Sequence, residues 1–421
     1  MRWWVAALGL AVGVAGCGKG DEAVDAAADT PIVWFDVTGQ DAPVERCLGV
    51  KPTDPDGRID ARWWSGDPTL LGSLPLTGLE DGCVLKADAP WLALSLAGET
   101  LEVRLADTAI PSGVRDVQVV VSGAVSGQSL FIINLRLSVL NRAPASATRH
   151  VVVFGLDGFR PDAIAVANTP TLDRLLAHGA STLKATTQLT GATRSGPGWA
   201  SILTGVEVAK HGVTTNDAAD IKTDPAHPTF LERARLAGLA SEIIFVWVPL
   251  IGMVEPEVTR RLASEEQLAG LAAASIDGGP PNLLFMHFDA LDHAGHAEGY
   301  GGAVPAYVTA LEETDARIGA VIDAVIARPS VANEEWLFVV VTDHSGEGTD
   351  HGPTEPIYRT IPLIFAGPRV PAAAIDGASH MDVYPTALAF LGLEPEAAWD
   401  LDGQVRFRAM TDTAAAPAAT E

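Results

Sequence analysis

Val151-Val152-Val153-Phe154-Gly155-Leu156-Asp157 is the stretch whose reading decides the fold of the larger part of the chain. Its residues are apolar or small without alternation and stop at an acid, the pattern of a strand buried on both faces, as a parallel sheet between helices requires. Similar runs recur at Glu242 to Val248, Leu283 to Phe288 and Leu337 to Val341. Helical segments separate them: Thr169 to His178 before Gly179, Thr229 to Leu239, and a stretch that keeps Tyr307, Leu311, Ile318, Ile322 and Val325 on one face. This alternation predicts an α/β domain over residues 149–408, with a mostly parallel sheet flanked by helices. Ligands in such sheets sit beyond the carboxyl ends of the strands, which makes Asp157 the first residue to question.

Upstream the grammar changes. Short alternating runs such as Leu101-Glu102-Val103-Arg104-Leu105, Val117 to Val121 and Phe131 to Val139 predict a small all-β sandwich over residues 31–142. Asn141 to Thr148 reads as a polar linker. Pro90-Trp91-Leu92, Ser112-Gly113-Val114 and Leu135 to Val139 resemble the immunoglobulin-like BACON type of accessory domain, which implies a spacing or docking role.

At the N-terminus, one Arg, an apolar run from Trp3 to Val14 and Val14-Ala15-Gly16-Cys17 form a segment too short for a membrane span of roughly 20 residues, and it reads as an export signal over 1–17. Cys17 after small residues resembles a bacterial lipobox. That implies cleavage before Cys17 and its acylation, with Gly18 pointing to the outer membrane and a membrane contact through the N-terminal lipid. Residues 18–30 read as a spacer and 409–421 as a disordered tail. An oxidising compartment permits a disulfide between Cys47 and Cys83, two free thiols being the alternative.

The 421 residues carry 28 Lys and Arg against 53 Asp and Glu, a net charge of -25, which excludes binding to nucleic acid through surplus cations. With three cysteines and 10 histidines, a metal site has to draw on His and carboxylates. A single Asp at a strand end usually forms a turn. Here three such places coincide: Asp157, then Asp343-His344 after Val339-Val340-Val341-Thr342, then Asp292 and His296 four apart after the strand holding His287 and Asp289. Mixed Asp and His donors suit zinc or another divalent ion.

In order, Gly155-Leu156-Asp157-Gly158, Ser195-Gly196-Pro197-Gly198-Trp199 through Thr204-Gly205, His211-Gly212-Val213, Asp292 to His296 and Thr342-Asp343-His344 resemble the alkaline phosphatase superfamily, and most of all its type I phosphodiesterase and nucleotide pyrophosphatase branch. The resemblance implies an exported phosphodiesterase or phosphatase with a phosphoseryl intermediate, acting on a small phosphate ester or nucleotide-like substrate. It assigns Asp157, Asp343, His344 and the oxygen of the nucleophile Ser195 to one metal, and Asp292, His296 and a third histidine to the other. His351 is favoured as that histidine over His380. The ions would be zinc, with manganese, calcium or magnesium as alternatives. Asn216 matches the donor to the phosphoryl group, and Thr193 is the reserve nucleophile.

His178, His211, His227 and His287 read as structural. A sulfatase on the same scaffold is the nearest rival, although Trp199 stands where its motif needs Arg. A surface lipoprotein that only binds is the other. No large cap is expected between Asn216 and Asp292, and Trp199, Trp247 and Tyr300 are candidates to stack on a base or aryl group.

Overall fold

The computed structural model describes residues 33–36, 51–52, 58–77, 83–123 and 129–409. Cys17, Cys47, the Cys83 side chain, the signal and spacer, and the tail beyond 409 lie outside the described residues.

Two antiparallel-rich sheets make the first part. One contains β1 (Val33–Asp36), β3 (Arg58–Trp64), β5 (Cys83–Ala87), β8 (Gly113–Gly123) and β9 (Ser129–Leu140), in the order β1-β5-β8-β9-β3. The other contains β2 (Lys51–Pro52), β4 (Leu70–Thr77), β6 (Leu92–Ala97) and β7 (Thr100–Leu105), in the order β2-β4-β7-β6. Alternate residues point inward to one shared core, where Leu85, Leu101, Val103, Val119, Ile133 and Leu137 are fully buried.

The second part holds β10 (Thr148–Leu156), α1 (Pro170–His178), β11 (Gly179–Thr186), α2 (Ser195–Thr204), α3 (Val208–His211), α4 (Phe230–Leu236), β12 (Ser241–Phe245), β13 (Thr259–Leu262), α5 (Glu265–Gly278), β14 (Leu283–Phe288), α6 (Ala290–Glu298), α7 (Pro305–Ile326), β15 (Glu334–Val341), α8 (Pro356–Arg359), β16 (Thr360–Ala366), β17 (Ala373–Ala374) and α9 (Val383–Phe390). Its strands form one sheet, β13-β12-β14-β10-β15-β16-β11-β17, parallel from β13 through β15. β16 then runs antiparallel to both β15 and β11.

Consecutive residues of the central strands enter two different cores. Val151, Val153, Phe285, Val339 and Val341 pack on one face with Trp199, Phe230 and Leu388. Val152, Phe154, Met286, Phe338 and Val340 pack on the other with Leu172, Leu268 and Leu311. Double-sided burial is what the unbroken apolar runs encode. Neighbouring parallel strands β10, β14 and β15 end at one edge of the sheet, and Asp157, Asp289 and Asp343 follow at that edge.

Besides the connection through residues 141–148, side chains join the two parts. Trp64, at the end of β3, buries its ring in the helical core beside Phe338, with centroids 6.0 Å apart, and beneath the Arg174 guanidinium. Asp67 accepts from Trp64 N, Arg174 Nη1 and His178 Nε2. Within the connection Ala143 N donates to the buried Glu335 carboxylate, which also takes Arg369 Nε at 2.7 Å.

Candidate metal centre

The first group of donors gathers where β10 and β15 end. His344 Nε2 lies 3.5 Å from Asp157 Oδ1 and 3.3 Å from Asp343 Oδ2. None of these three atoms has a hydrogen-bond partner among the described residues, and their residues are at most 1% exposed. Burial, then the neighbouring Asp343, Asp292 and Asp289 charges, drive the Asp157 carboxyl far above its ordinary range, and burial raises Asp343 as well. Buried charges without partners cost several kcal/mol each. A divalent ion removes that cost, and two donors on one tetrahedral ion at bonds of about 2.1 Å sit roughly 3.4 Å apart, the spacing found here.

The second group rides on α6, whose 3.6-residue period puts Asp292 and His296 on one face. His296 Nε2 is 3.3 Å from Asp292 Oδ2 and 3.1 Å from His351 Nε2, which is itself 3.9 Å from Asp292 Oδ1. The two imidazoles are held from behind: His296 Nδ1 meets Thr349 O at 3.0 Å and His351 Nδ1 meets Thr193 O at 2.8 Å. A carbonyl only accepts, so each Nδ1 carries the proton and each Nε2 turns a lone pair inward. Two lone pairs facing each other at that distance call for a cation between them. Burial, with His344 beside it, lowers His351 to about 4, which keeps it neutral and able to ligate. Asp292 also falls within reach of Asp157 and His344, so the two groups adjoin.

His380, the competing histidine, lies elsewhere. Its Nε2 accepts the Gln188 N–H at 2.9 Å, and burial pushes the ring down to about 3. The folded protein therefore refuses a proton that the unfolded chain takes up below about pH 6.5. His380 contributes stability that is complete above that pH and is lost as the pH falls towards 3, at no more than about 1.4 kcal/mol per pH unit. Urea midpoints measured at pH 7.5 and 5 should fall less for His380→Gln than for the wild type; equal falls would refute this account.

Ser195 opens α2 and is 4% exposed. No hydrogen-bond partner for its hydroxyl is found among the described residues. Thr193 Oγ1, in contrast, donates to Pro353 O at 2.6 Å and accepts from Gly352 N at 3.0 Å, so the reserve nucleophile is already engaged. Two glycines explain how the first turn of α2 reaches the site. A Cβ on Gly196 would stand 2.1 Å from Thr215 O, and one on Gly198 2.7 Å from Asp343 Cβ. Gly196 N donates to Asn216 Oδ1 at 2.7 Å, which fixes the amide and leaves its NH2 as the free donor.

Three residues at the site escaped sequence reasoning. Trp199 and Tyr300 are not substrate-facing platforms. Trp199 is fully buried and donates Nε1–H to Asp157 Oδ2 at 2.9 Å, and Tyr300 is 5% exposed. Of the three aromatic candidates, Trp247 alone keeps a partly exposed ring. His287, read as a core histidine, has Nε2 3.2 Å from the same Asp157 Oδ2, and with Asp289 it makes a further group of possible ligands. Burial, followed by Asp292 and Glu265, pushes Asp289 up to about 6. One signal was legible: Gly155 interrupts the apolar strand because a Cβ there would meet the Trp199 ring at 2.8 Å.

Residues 151–235 and 241–358 match the family model of type I phosphodiesterase / nucleotide pyrophosphatase. A comparison with curated proteins finds no match. Among solved structures, the chain is similar to murine ectonucleotide pyrophosphatase / phosphodiesterase 5 in complex with AMP, at 14% identity and a TM-score of 0.48 over 58% of this chain and 95% of that one. It is also similar to a phosphonate monoester hydrolase from Silicibacter pomeroyi, at 14% identity and 0.47 over 63% and 78%. A third is a 2-O GAG sulfatase, at 13% and 0.49 over 62% and 76%. The ordered motifs and the two adjoining groups of possible ligands thus lie in the part of the α/β domain that is similar to the type I phosphodiesterase / nucleotide pyrophosphatase family.

Proposed function

We propose that this protein is an exported, lipid-anchored hydrolase of small phosphate esters, nucleotide-like diesters included, that works with two divalent ions, zinc first among them, and a phosphoseryl intermediate. The observation that carries the reading is the convergence of unpartnered Asp157, Asp343 and His344 atoms beside the Asp292, His296 and His351 cluster, with the Ser195 segment packed against Asp343. Bound there, the ions would supply the positive charge that the phosphoryl oxygens need and would lower the pKa of a hydroxyl or water. Ser195 Oγ attacks phosphorus in line and gives up its proton to solvent, the bond to the leaving oxygen breaks as the serine ester forms, and the departing alkoxide takes a proton from solvent to leave as the alcohol. Water then attacks the phosphoseryl phosphorus, frees Ser195 and releases phosphate or a monoester. The Asn216 NH2 donates to a phosphoryl oxygen, and the N-terminal N–H groups of α2 favour the anion.

Trp199 supports phosphate over sulfate esters. The position at which a sulfatase motif needs Arg is occupied by an indole committed to Asp157. The N-terminal segment supports export and anchoring at Cys17, in an outer membrane.

Metal analysis of the purified protein, coupled to hydrolysis of nitrophenyl monoesters, diesters and sulfate esters before and after chelation, tests the reading. We expect about two divalent ions per chain, loss of at least two orders of magnitude of phosphoesterase activity on chelation, and recovery on adding zinc. Chelator-resistant hydrolysis, or turnover of sulfate esters alone, would refute it.

A further inference from the structure

Tyr300 lies just beyond α6, after Gly299, whose φ of 114° lets the chain turn back on the helix. Its ring occupies a slot that glycine makes possible on three sides. A Cβ on Gly295 would stand 2.3 Å from the ring, one on Gly346 2.6 Å and one on Gly158 3.0 Å. Each of these glycines sits within three residues of a ligand in the groups above: Gly158 beside Asp157, Gly295 between Asp292 and His296, Gly346 after His344. Tyr300 N donates to Gly348 O at 2.8 Å, at the start of the loop that leads to His351. The ring edge also meets His296 at 5.7 Å and His351 at 6.4 Å between centroids. One side chain thus touches the segments that carry Asp157, Asp292 with His296, His344 and His351.

Packing accounts for a ring; it does not account for the hydroxyl. Tyr300 Oη lies 2.5 Å from Asp292 Oδ1, and an ionised carboxylate only accepts, so the phenol donates. Asp292 Oδ2 is the oxygen that faces His296 Nε2. Asp157 is treated in the same way by Trp199 and His287, which both meet its Oδ2 and leave Oδ1 free.

We infer that Tyr300 is a positioning residue for the second ligand group: its phenol engages Asp292 Oδ1, so that the carboxylate offers Oδ2 to an ion, and its ring sets the spacing of the segments that carry both groups. The inference rests on the two-metal reading. Removing the phenol frees Asp292 to rotate and to present both oxygens, which changes the coordination number and loosens one site of the two.

The test uses full-length protein stripped of metal, Tyr300→Phe, which keeps the ring, and Tyr300→Met, which fills the slot without a donor should the phenyl variant fail to fold. Zinc affinity is read by competition with a chromogenic chelator, and the visible absorption of the cobalt-loaded protein reports coordination number. Each donor-less variant should bind the ion of one site about 10–100-fold more weakly and that of the other within about threefold of wild type, with altered cobalt bands. A wild type that binds two ions and variants that match it in affinity and spectrum overturn the inference alone. A wild type that binds none overturns the metal reading and the inference with it.

Discussion

Ser195→Ala is expected to lower kcat for a nitrophenyl phosphodiester by three to six orders of magnitude while leaving the fold and most bound metal in place, on the scale seen when a nucleophile is deleted from a site whose electrostatics survive. The reasoning is geometric. Ser195 stands in the first turn of α2, where Ala is a good helix former, and its hydroxyl has no partner among the described residues whose loss would destabilise the fold. Thr193 cannot take over, because its hydroxyl is held between Pro353 O and Gly352 N. Asn216 stays in place through Gly196 N, so the variant should still bind substrate with little change in KM. A Ser195→Thr variant keeps the oxygen and should recover part of the rate. Wild-type turnover by the Ala variant would mean that another group, or water directly, attacks phosphorus. Acid-quenched wild-type protein should carry phosphate at Ser195 and the Ala variant none.

How much of this was legible in the sequence depended on whether a residue's role leaves a spacing. β10, β14 and β15 announced themselves because both faces of each strand are buried. Asp157, Asp343-His344 and the Asp292–His296 pair announced themselves because these possible ligands stand at strand ends or one helical turn apart. β11 left a weaker trace: Gly179–Thr186 mixes buried Gly and Ala with more exposed polar residues and carries a register shift between Thr182 and Ala185, whereas β16 is a buried apolar run broken only by Pro362. α5 was overlooked although Ser264 and Gln267 spell its capping box, because its mostly small, weakly amphipathic face hid the period. Trp199, His287 and Tyr300 had no spacing to betray them, since a donor behind a carboxylate can come from any element that the fold brings near. Residues 141–148 connect β9 to β10, and their polarity serves more than solvation. Asn141 Nδ2 donates to Thr108 O and Ile110 O, and Arg142 Nε to Pro368 O, so polar residues there bond a joint together where composition alone suggests a tether.

That joint leads to the largest expected effect on stability. Trp64→Ala should cost about 3–5 kcal/mol, the usual range for removing a buried indole, and should split unfolding into two steps. Trp64 is 3% exposed, its backbone pairs with β9 in the sandwich, and its ring belongs to the core under α1 and α7. Truncating it opens a cavity against Phe338 and removes the surface over which Arg174 lies. What then holds the two parts together is the smaller apolar contact of Leu140 and Val114 with the helical core, and polar bonds: Asp67 with Arg174 and His178, and the exposed Arg62–Asp323 pair. Exposed ion pairs contribute at most about 1 kcal/mol each, too little to keep two cores cooperative. Calorimetry of the wild type should show one transition in which sandwich and α/β domain melt together, and Trp64→Ala should show the smaller sandwich melting first. Asp67→Asn, which leaves the indole packed, should lower the midpoint by much less and keep a single transition. If Trp64→Ala melts in one step at the wild-type temperature, the sandwich is a separate module and its ring contact with the catalytic core contributes nothing.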